Sequence, residues 1–388
     1  MTYNISGQAI SKNNSETTAI KNRKIVLRLL RERGPLIRKE IAEITKLHRS
    51  TITYIINELL ELKLIRYNET IDRKYKGKQL RYLELNPEWG YVVGVEADSK
   101  GIGIIATDLN SDELWSEYKK LKITKNTLVS SITDTVKAVM KRPELKSRRF
   151  LGLGIGFPGV VDVINNKVLN SVEFDIQGTE LAQAISKVID VPVFIDNNAN
   201  AAALAEMEFG LLKKELHGIM LYMQEVKTNE MTHAGLAFGL IINRHVYHGH
   251  HFQAGELGDF LMPFEGKKVD VKTFNDLSSE TMKQIVDHLA YLITIITDIL
   301  DPRMIVVGGN VEINQDEFMS LLREQVNKKS LKLRTSKDIV IEYSQLGTKA
   351  VMLGSTMLII NRLFDVNAGQ TSFWDDEEET QERAILTI

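Results

Sequence analysis

Polar side chains crowd one point of this sequence. Asp196-Asn197-Asn198-Ala199-Asn200 follows an apolar run, 191–195, and leads into the small-residue stretch Ala201-Ala202-Ala203-Leu204-Ala205-Glu206. The β-branched run reads as a buried strand and the stretch as a helix, so a carboxylate and three amides gather on a strand-to-helix turn. Ligands of open α/β sheets bind at such turns. Amides donate and accept hydrogen bonds, which suits the hydroxyls of a neutral ligand; the competing reading is that the asparagines only cap the helix. Gly159, in the glycine-rich run 154–162, could bring backbone close to that ligand, and two carboxylates, Glu256 and Asp259, lie further along the chain. His245, His248, His250 and His251 lie just upstream. With the carboxylates they could hold Zn²⁺ or Ni²⁺. Their spacing matches no recognised motif, so a hairpin tip with its imidazoles facing solvent or the cleft is expected, and no metal or cofactor is assigned.

A second constellation lies near the front. Apolar periodicity predicts helices over 16–33, 38–45 (Ile41, Ala42 and Ile44 inward) and 48–60 (Ile52, Ile55, Ile56, Leu59 and Leu60 inward). That leaves Arg49, Ser50, Thr51, Thr53, Tyr54 and Asn57 on or near the open face of the third helix, the arrangement of a helix-turn-helix reading a major groove. Alternating strands over 64–67 and 80–85 flank the basic loop 73–79, a wing whose Lys76, Gly77 and Lys78 could reach phosphates or a minor groove. The charge agrees. Residues 1–85 hold 18 Lys and Arg against 9 Asp and Glu, a net of +9; the chain totals of 49 and 51 leave 31 against 42, a net of −11. A basic front on an acidic body is the footprint of a nucleic-acid-binding module.

At 388 residues the chain is long for one core. Zero cysteines exclude disulfides and thiolate metal sites. No apolar run approaches the roughly 20 residues of a membrane span, and residues 1–15 carry no apolar signal core, so a disordered arm and a cytoplasmic location are expected. Beyond a linker at 86–88, strands are expected over 91–95, 103–109, 150–157, 191–195, 219–223, 235–242 and 301–309. Helices are expected over 128–140, 180–189, 282–300, 317–326 and 350–363, with a frayed charged tail after 375.

Together the helix-turn-helix, the runs 154–162 and 196–206, Ala254-Gly255-Glu256-Leu257-Gly258 and 301–309 resemble the ROK family (repressors, open reading frames and sugar kinases), especially its winged-helix repressors of the xylose-repressor type. The resemblance implies an actin-like (ribonuclease-H-like), two-lobed α/β body with a sugar cleft between the lobes, and a dimer or larger homo-oligomer. Against the family's kinases the sequence departs in three places. Their Asp-x-Gly-Gly-Thr phosphate turn corresponds to Glu96-Ala97-Asp98-Ser99-Lys100, their Gly-Thr-Gly-x-Gly loop to the segment from Gln224, and their catalytic Asp to Asn198. An amide takes no proton at neutral pH, and carboxylates oppose a polyphosphate. The family's zinc motif is also missing: Asp259 stands where relatives have His.

The expectation is therefore a non-enzymatic regulator with an arm (1–15), a winged helix-turn-helix (16–85) and a two-lobed sensor (86–388). It would repress carbohydrate-use genes from an inverted-repeat operator, with a sugar effector held by Gly159, Asn197, Asn198, Glu256 and Asp259. Two other readings stand beside it: a constitutive or protein-regulated DNA-binding protein with a vestigial cleft, and an active sugar kinase, against which the three departures argue.

Overall fold

The computed structural model describes residues 13–71, 74–75, 78–227, 232–257, 279–309, 315–329 and 339–365. The front module begins with α1 (Asn13–Arg33), ended by Gly34, whose φ of 74° leaves the helix before Pro35. Of the expected arm, residues 13–15 already belong to α1, and residues 1–12 lie outside the described residues. Next come α2 (Arg38–Thr45) and α3 (Arg49–Glu61). Glu40 accepts from the Ile37 amide to cap α2, and the His48 imidazole accepts from the Ser50 amide to cap α3. Ile41, Ile52, Ile55, Ile56 and Leu59 fill the core between the helices. Ile44, expected inward, is 39% exposed: it sits at the rim of the buried stripe, in the last turn of α2.

The wing starts at β1 (Ile65–Tyr67) and returns through β4 (Leu83–Leu85), paired antiparallel with Ile65 opposite Leu85. The expected basic loop is itself a small hairpin, β2 (Lys74–Tyr75) against β3 (Lys78–Gln79). Lys76 and Gly77 lie outside the described residues. The expected linker is a bonded turn. Asn86 donates its side-chain amide to the Lys63 carbonyl, and the Trp89 indole donates to the Leu62 carbonyl.

The first lobe runs from β5 (Gly90–Asp98) through β6 (Gly101–Thr107), β7 (Glu113–Lys120), α4 (Leu128–Met140), β8 (Arg149–Phe157), β9 (Val160–Asp162), β10 (Lys167–Ser171), β11 (Ile176–Thr179) and α5 (Leu181–Ile189) to β12 (Val193–Asn197). Its main sheet has the order β12-β8-β5-β6-β7, with β12, β8 and β5 parallel. The second lobe comprises α6 (Asn198–Glu208), β13 (Gly218–Lys227), β14 (Thr232–Ile242), β15 (His245–Val246), α7 (Ser279–Leu300), β16 (Met304–Gly309), α8 (Gln315–Lys329), β17 (Val340–Tyr343) and α9 (Ala350–Phe364). Its sheet, β15-β14-β13-β16-β17, repeats the plan of three parallel and two antiparallel strands.

The helices α6 and α9 lie against each other between the two sheets, α9 on β5 and β8, α6 on β13 and β14. This explains why α6 is rich in alanine rather than amphipathic: Ala199, Ala201, Ala202, Ala203 and Ala205 are each buried, and only Leu204 and Glu208 of the helix are partly exposed. Small residues let backbones meet. A Cβ at Gly354 would lie 1.6 Å from the Ala201 carbonyl oxygen, and one at Gly154 would lie 1.8 Å from that of Ser355. The front module is not a free appendage, because α1 packs on α9 and Leu27, Leu30, Leu151, Phe194, Met357 and Phe364 share one buried cluster.

Because backbone cannot yield as a side-chain tip can, Gly354→Ala is expected to destabilise the protein by about 1–3 kcal/mol or more. Gly103→Ala, which meets the flexible end of Met352, should cost less. Urea unfolding of the two variants checks the order.

Candidate functional site

The cleft is built where β8 and β12 end and α6 begins. Asn197 caps α6, its Oδ1 accepting from the Ala199 amide at 2.7 Å. Its Nδ2 donates to the Gly159 carbonyl at 2.9 Å and to Glu256 Oε1 at 2.7 Å. Both amide hydrogens are thus occupied inside the protein, and Asn197 ties Glu256, which bridges to β14, to the first lobe. Gly159 is held at φ 129°, where a Cβ would lie 2.2 Å from the Asn170 carbonyl oxygen. Burial raises the pKa of Glu256 above the ordinary carboxylate value.

Asn198 differs from its neighbour. It is 3% exposed, and its Nδ2 donates to Gln224 Oε1 at 3.2 Å. Its Oδ1 is buried with no hydrogen-bond partner among the described residues. A buried acceptor left open costs stability unless something donates to it, as a hydroxyl can. Asp196 is internally bonded instead: Oδ1 accepts from Asn200 Nδ2 at 3.0 Å and Oδ2 meets His248 Nε2 at 2.9 Å. Burial works against a charge on His248, but Asp196 outweighs it and the histidine pKa is raised. The histidine run therefore splits. His248 joins Asp196, His245 Nδ1 meets the Asn243 carbonyl, and His250 and His251 stack edge to face. Among the described residues no group of three or more His, Asp or Glu could hold a metal ion, and Asp259 lies outside them.

The turn after β5 has its amides already bonded. Ser99 N donates to Glu173 Oε1 at 2.7 Å, and Lys100 N and Gly101 N donate to Asp98 Oδ1 at 2.7 and 2.9 Å. These are the donors a phosphate would need. Glu96, buried beside them, accepts from the Tyr222 hydroxyl of the second lobe at 2.9 Å. Burial, with Asp98 and Glu173 adding to it against the Tyr222 hydrogen bond, pushes the Glu96 carboxyl up to about 8. Burial and the same carboxylates push Tyr118 up to about 12. Beyond Tyr222, β13 and β14 continue as a paired hairpin, with Glu225 opposite Ala234 and Lys227 opposite Thr232. Glu173 and Tyr222 went unnoticed in the sequence, because neither lies near its partner along the chain.

On the front module, Arg49, Ser50, Thr53, Tyr54 and Asn57 are exposed along α3 and Thr51 is half-buried. Lys78 lies in β3 of the wing hairpin. Arg38 was missed: from the start of α2 its guanidinium donates to Asn57 Oδ1 at 2.9 Å and to the Tyr67 hydroxyl at 3.2 Å, beside the exposed face of α3. A basic residue opening the first helix of the pair is the signal that could have found it.

The ROK family model matches residues 92–270 and 267–362. The xylose repressor of Bacillus subtilis is 24% identical over 386 residues, covering 89% of this chain and 96% of that protein. The crystal structure of a ROK family transcriptional regulator, a homologue of the Escherichia coli Mlc protein, superposes with a TM-score of 0.73 at 18% identity over 90% of this chain and 98% of that one. A ROK family glucokinase from Streptomyces griseus, solved with glucose and AMPPNP, gives 0.56 at 19% identity over 70% and 99%. At these identities the superpositions speak for fold, and the regulator's covers the larger share of this chain.

The raised groups set a pH dependence. Between about pH 4.5 and 8 the folded chain keeps the Glu96 proton that the unfolded chain has released, so stability falls as pH rises. His248, also raised, adds loss of the same sign as it deprotonates above its ordinary range. Each proton contributes a slope of up to about 1.4 kcal/mol per pH unit. Glu96→Gln, which keeps a neutral acceptor for Tyr222, should flatten the curve of unfolding free energy between pH 5 and 8, measured by urea titration.

Proposed function

This chain belongs to the ROK family, and on that premise we propose that it is a DNA-binding transcriptional regulator, a repressor of carbohydrate-use genes, whose cleft senses an uncharged sugar. The observation that carries the reading is the turn after β5, whose three amides are bonded to Asp98 and Glu173. A nucleotide phosphate would have to displace both carboxylates. With an amide at Asn198 where the family's kinases have a carboxylate, phosphoryl transfer lacks both its base and its phosphate cradle. The sugar side is different: the open Asn198 acceptor and the buried Glu256 suit hydroxyl donors.

In this reading residues 16–85 form the DNA-binding module and 86–388 the sensor. Arg49, Ser50, Thr51, Thr53, Tyr54 and Asn57 face base edges, and Lys76, Gly77 and Lys78 reach phosphates. A homodimer, or a larger homo-oligomer, would place two modules on an inverted repeat. Asn198 and Glu256 contact the sugar, while Asn197 and Gly159 hold Glu256 in place. Among the described residues no helix is long and apolar enough to cross a membrane. A second reading, a cleft that is vestigial in a protein-regulated repressor, is favoured by one observation: both Asn197 amide hydrogens are already bonded internally.

Operator fragments selected from random DNA should bind the full chain with a steep salt dependence. Arg49→Ala should lose about 1–3 kcal/mol and relax one base position in a competition assay.

Titration calorimetry against neutral mono- and disaccharides separates the two cleft readings. Heat that disappears in Asn198→Ala supports the sensor, and silence at millimolar sugar favours the vestigial cleft. Neither wild type nor Asn198→Asp should turn over ATP with any hexose or pentose, because the occupied turn remains; sugar-dependent ADP release would reverse the assignment.

A further inference from the structure

Helix α6 has one end in the cleft and the other against the DNA-binding module. Its cap, Asn197, holds Glu256, and its first residue carries the open Asn198 acceptor. About 16 Å away, at 1.5 Å per residue, Glu208 closes the helix in an ion pair with Arg31 of α1 at 2.5 Å. Nothing along α6 is soft, since its small side chains are buried on all sides and its backbone meets that of α9 at Gly354. A shift at one end is therefore passed on as a rigid displacement.

Arg31 is placed to register such a displacement. It is only 12% exposed and straddles three elements. Its Nη2 donates to Glu208 of α6, to Ser111 Oγ in the turn after β6 at 3.2 Å and to Met357 Sδ of α9, and its guanidinium lies 5.9 Å from the Phe364 ring. Its Nε is buried with no partner among the described residues. One nitrogen is overcommitted and another is idle, so a slide of α6 along α9 changes which partners Arg31 can keep. From α1 the connection continues to the reading helix: Arg23 donates through both Nε and Nη2 to the Glu58 carboxylate of α3, at 3.0 and 2.5 Å.

We propose that α6 is a rod carrying the state of the cleft to the DNA-binding module, and that Arg31 is the positioning residue at its far end, taking up the displacement through the Glu208 pair and passing it along α1 to α3 through Arg23 and Glu58. The proposal deepens the sensor reading and rests on it for its biological use, but the mechanical claim can be tested apart from both DNA and sugar. Amide hydrogen exchange is measured over α1 and α3 in the full-length protein for wild type, Glu256→Gln, Glu208→Gln and the double variant. Perturbing the cleft end through Glu256→Gln should change exchange in α1 by threefold or more. In the Glu208→Gln background the same change should leave α1 exchange as it was, with melting temperatures reporting that each variant is folded. The pair reversed as Arg31→Glu with Glu208→Arg should restore the transmission.

Sites this far apart with no shared partner act additively, so additive exchange changes in the double variant, or an α1 indifferent to Glu256→Gln, would overturn the proposal. A second measurement keeps the two readings distinct. If sugar weakens operator binding in wild type and in Glu208→Gln by the same factor, the rod falls while the sensor stands. If exchange shows transmission but no sugar alters operator binding, the rod stands and the sensor reading falls.

Discussion

The structure depends on two helices touching through their main chains. At Gly354 and Ala201 the α6 and α9 backbones approach until no side-chain carbon fits between them, and Gly154 brings α9 equally close to β8. Close packing of this kind gains dispersion contacts along the whole interface but leaves no compressible layer. Each sheet then sits on one member of the pair, so the geometry between the lobes is set by two rods in contact. Everything that faces the cleft hangs from this pair: Asp196, Asn197 and Asn198 at the entry to α6, and Glu96 on a strand that α9 supports.

On that frame carboxylates gather at the turn after β5. Asp98 and Glu173 accept the amides of that turn, and Glu96, whose carboxyl burial pushes up to about 8, meets Tyr222 across the lobes. A neutral carboxyl can receive the phenol hydrogen bond in a dry interface without the desolvation penalty of an ion. Asp196, by contrast, is matched by the His248 imidazole and the Asn200 amide. Among the described residues short polar links that join the lobes include Glu96 to Tyr222, Asn197 to Glu256 and Asp196 to His248.

Helices were the most legible part of the sequence. α2 and α4 begin and end where periodicity and the flanking residues put them, α4 burying a full apolar stripe and α2 burying Ile41 and Ala42 while Ile44 stays at the rim. The strand β7 left no such trace: Glu113–Lys120 is an edge with mostly exposed, charged side chains, and its only strong reason to be a strand is the neighbour β6. In the same way β17 is a four-residue strand read only through its parallel partner β16. At the site, residue types showed which groups could hydrogen-bond but not which were already engaged. Asn197 and Asn198 look equivalent in sequence; one has both amide hydrogens taken and the other keeps an open acceptor. The pairs Ser99 with Glu173 and Glu96 with Tyr222 are 74 and 126 residues apart, and a single sequence holds no local sign of either.

The placing of α9 also bears on how this chain reaches its fold. Residues 350–364 form the surface against which the first lobe's sheet, the alanine-rich α6 and the front module are packed, so α1 and α9 share one core although more than 300 residues separate them. Arg31 reaches Met357 across 326 residues and Lys24 reaches the Asp365 carbonyl across 341. Contacts of such long range form late, since the loop they close must be ordered first. During synthesis the front module emerges with an apolar flank of α1 uncovered and waits for the rest of the chain before that flank is buried. The seat that orients α3 relative to the two lobes is therefore among the last features to be completed, and a nascent chain displays the exposed face of α3 before the lobes that fix its position exist.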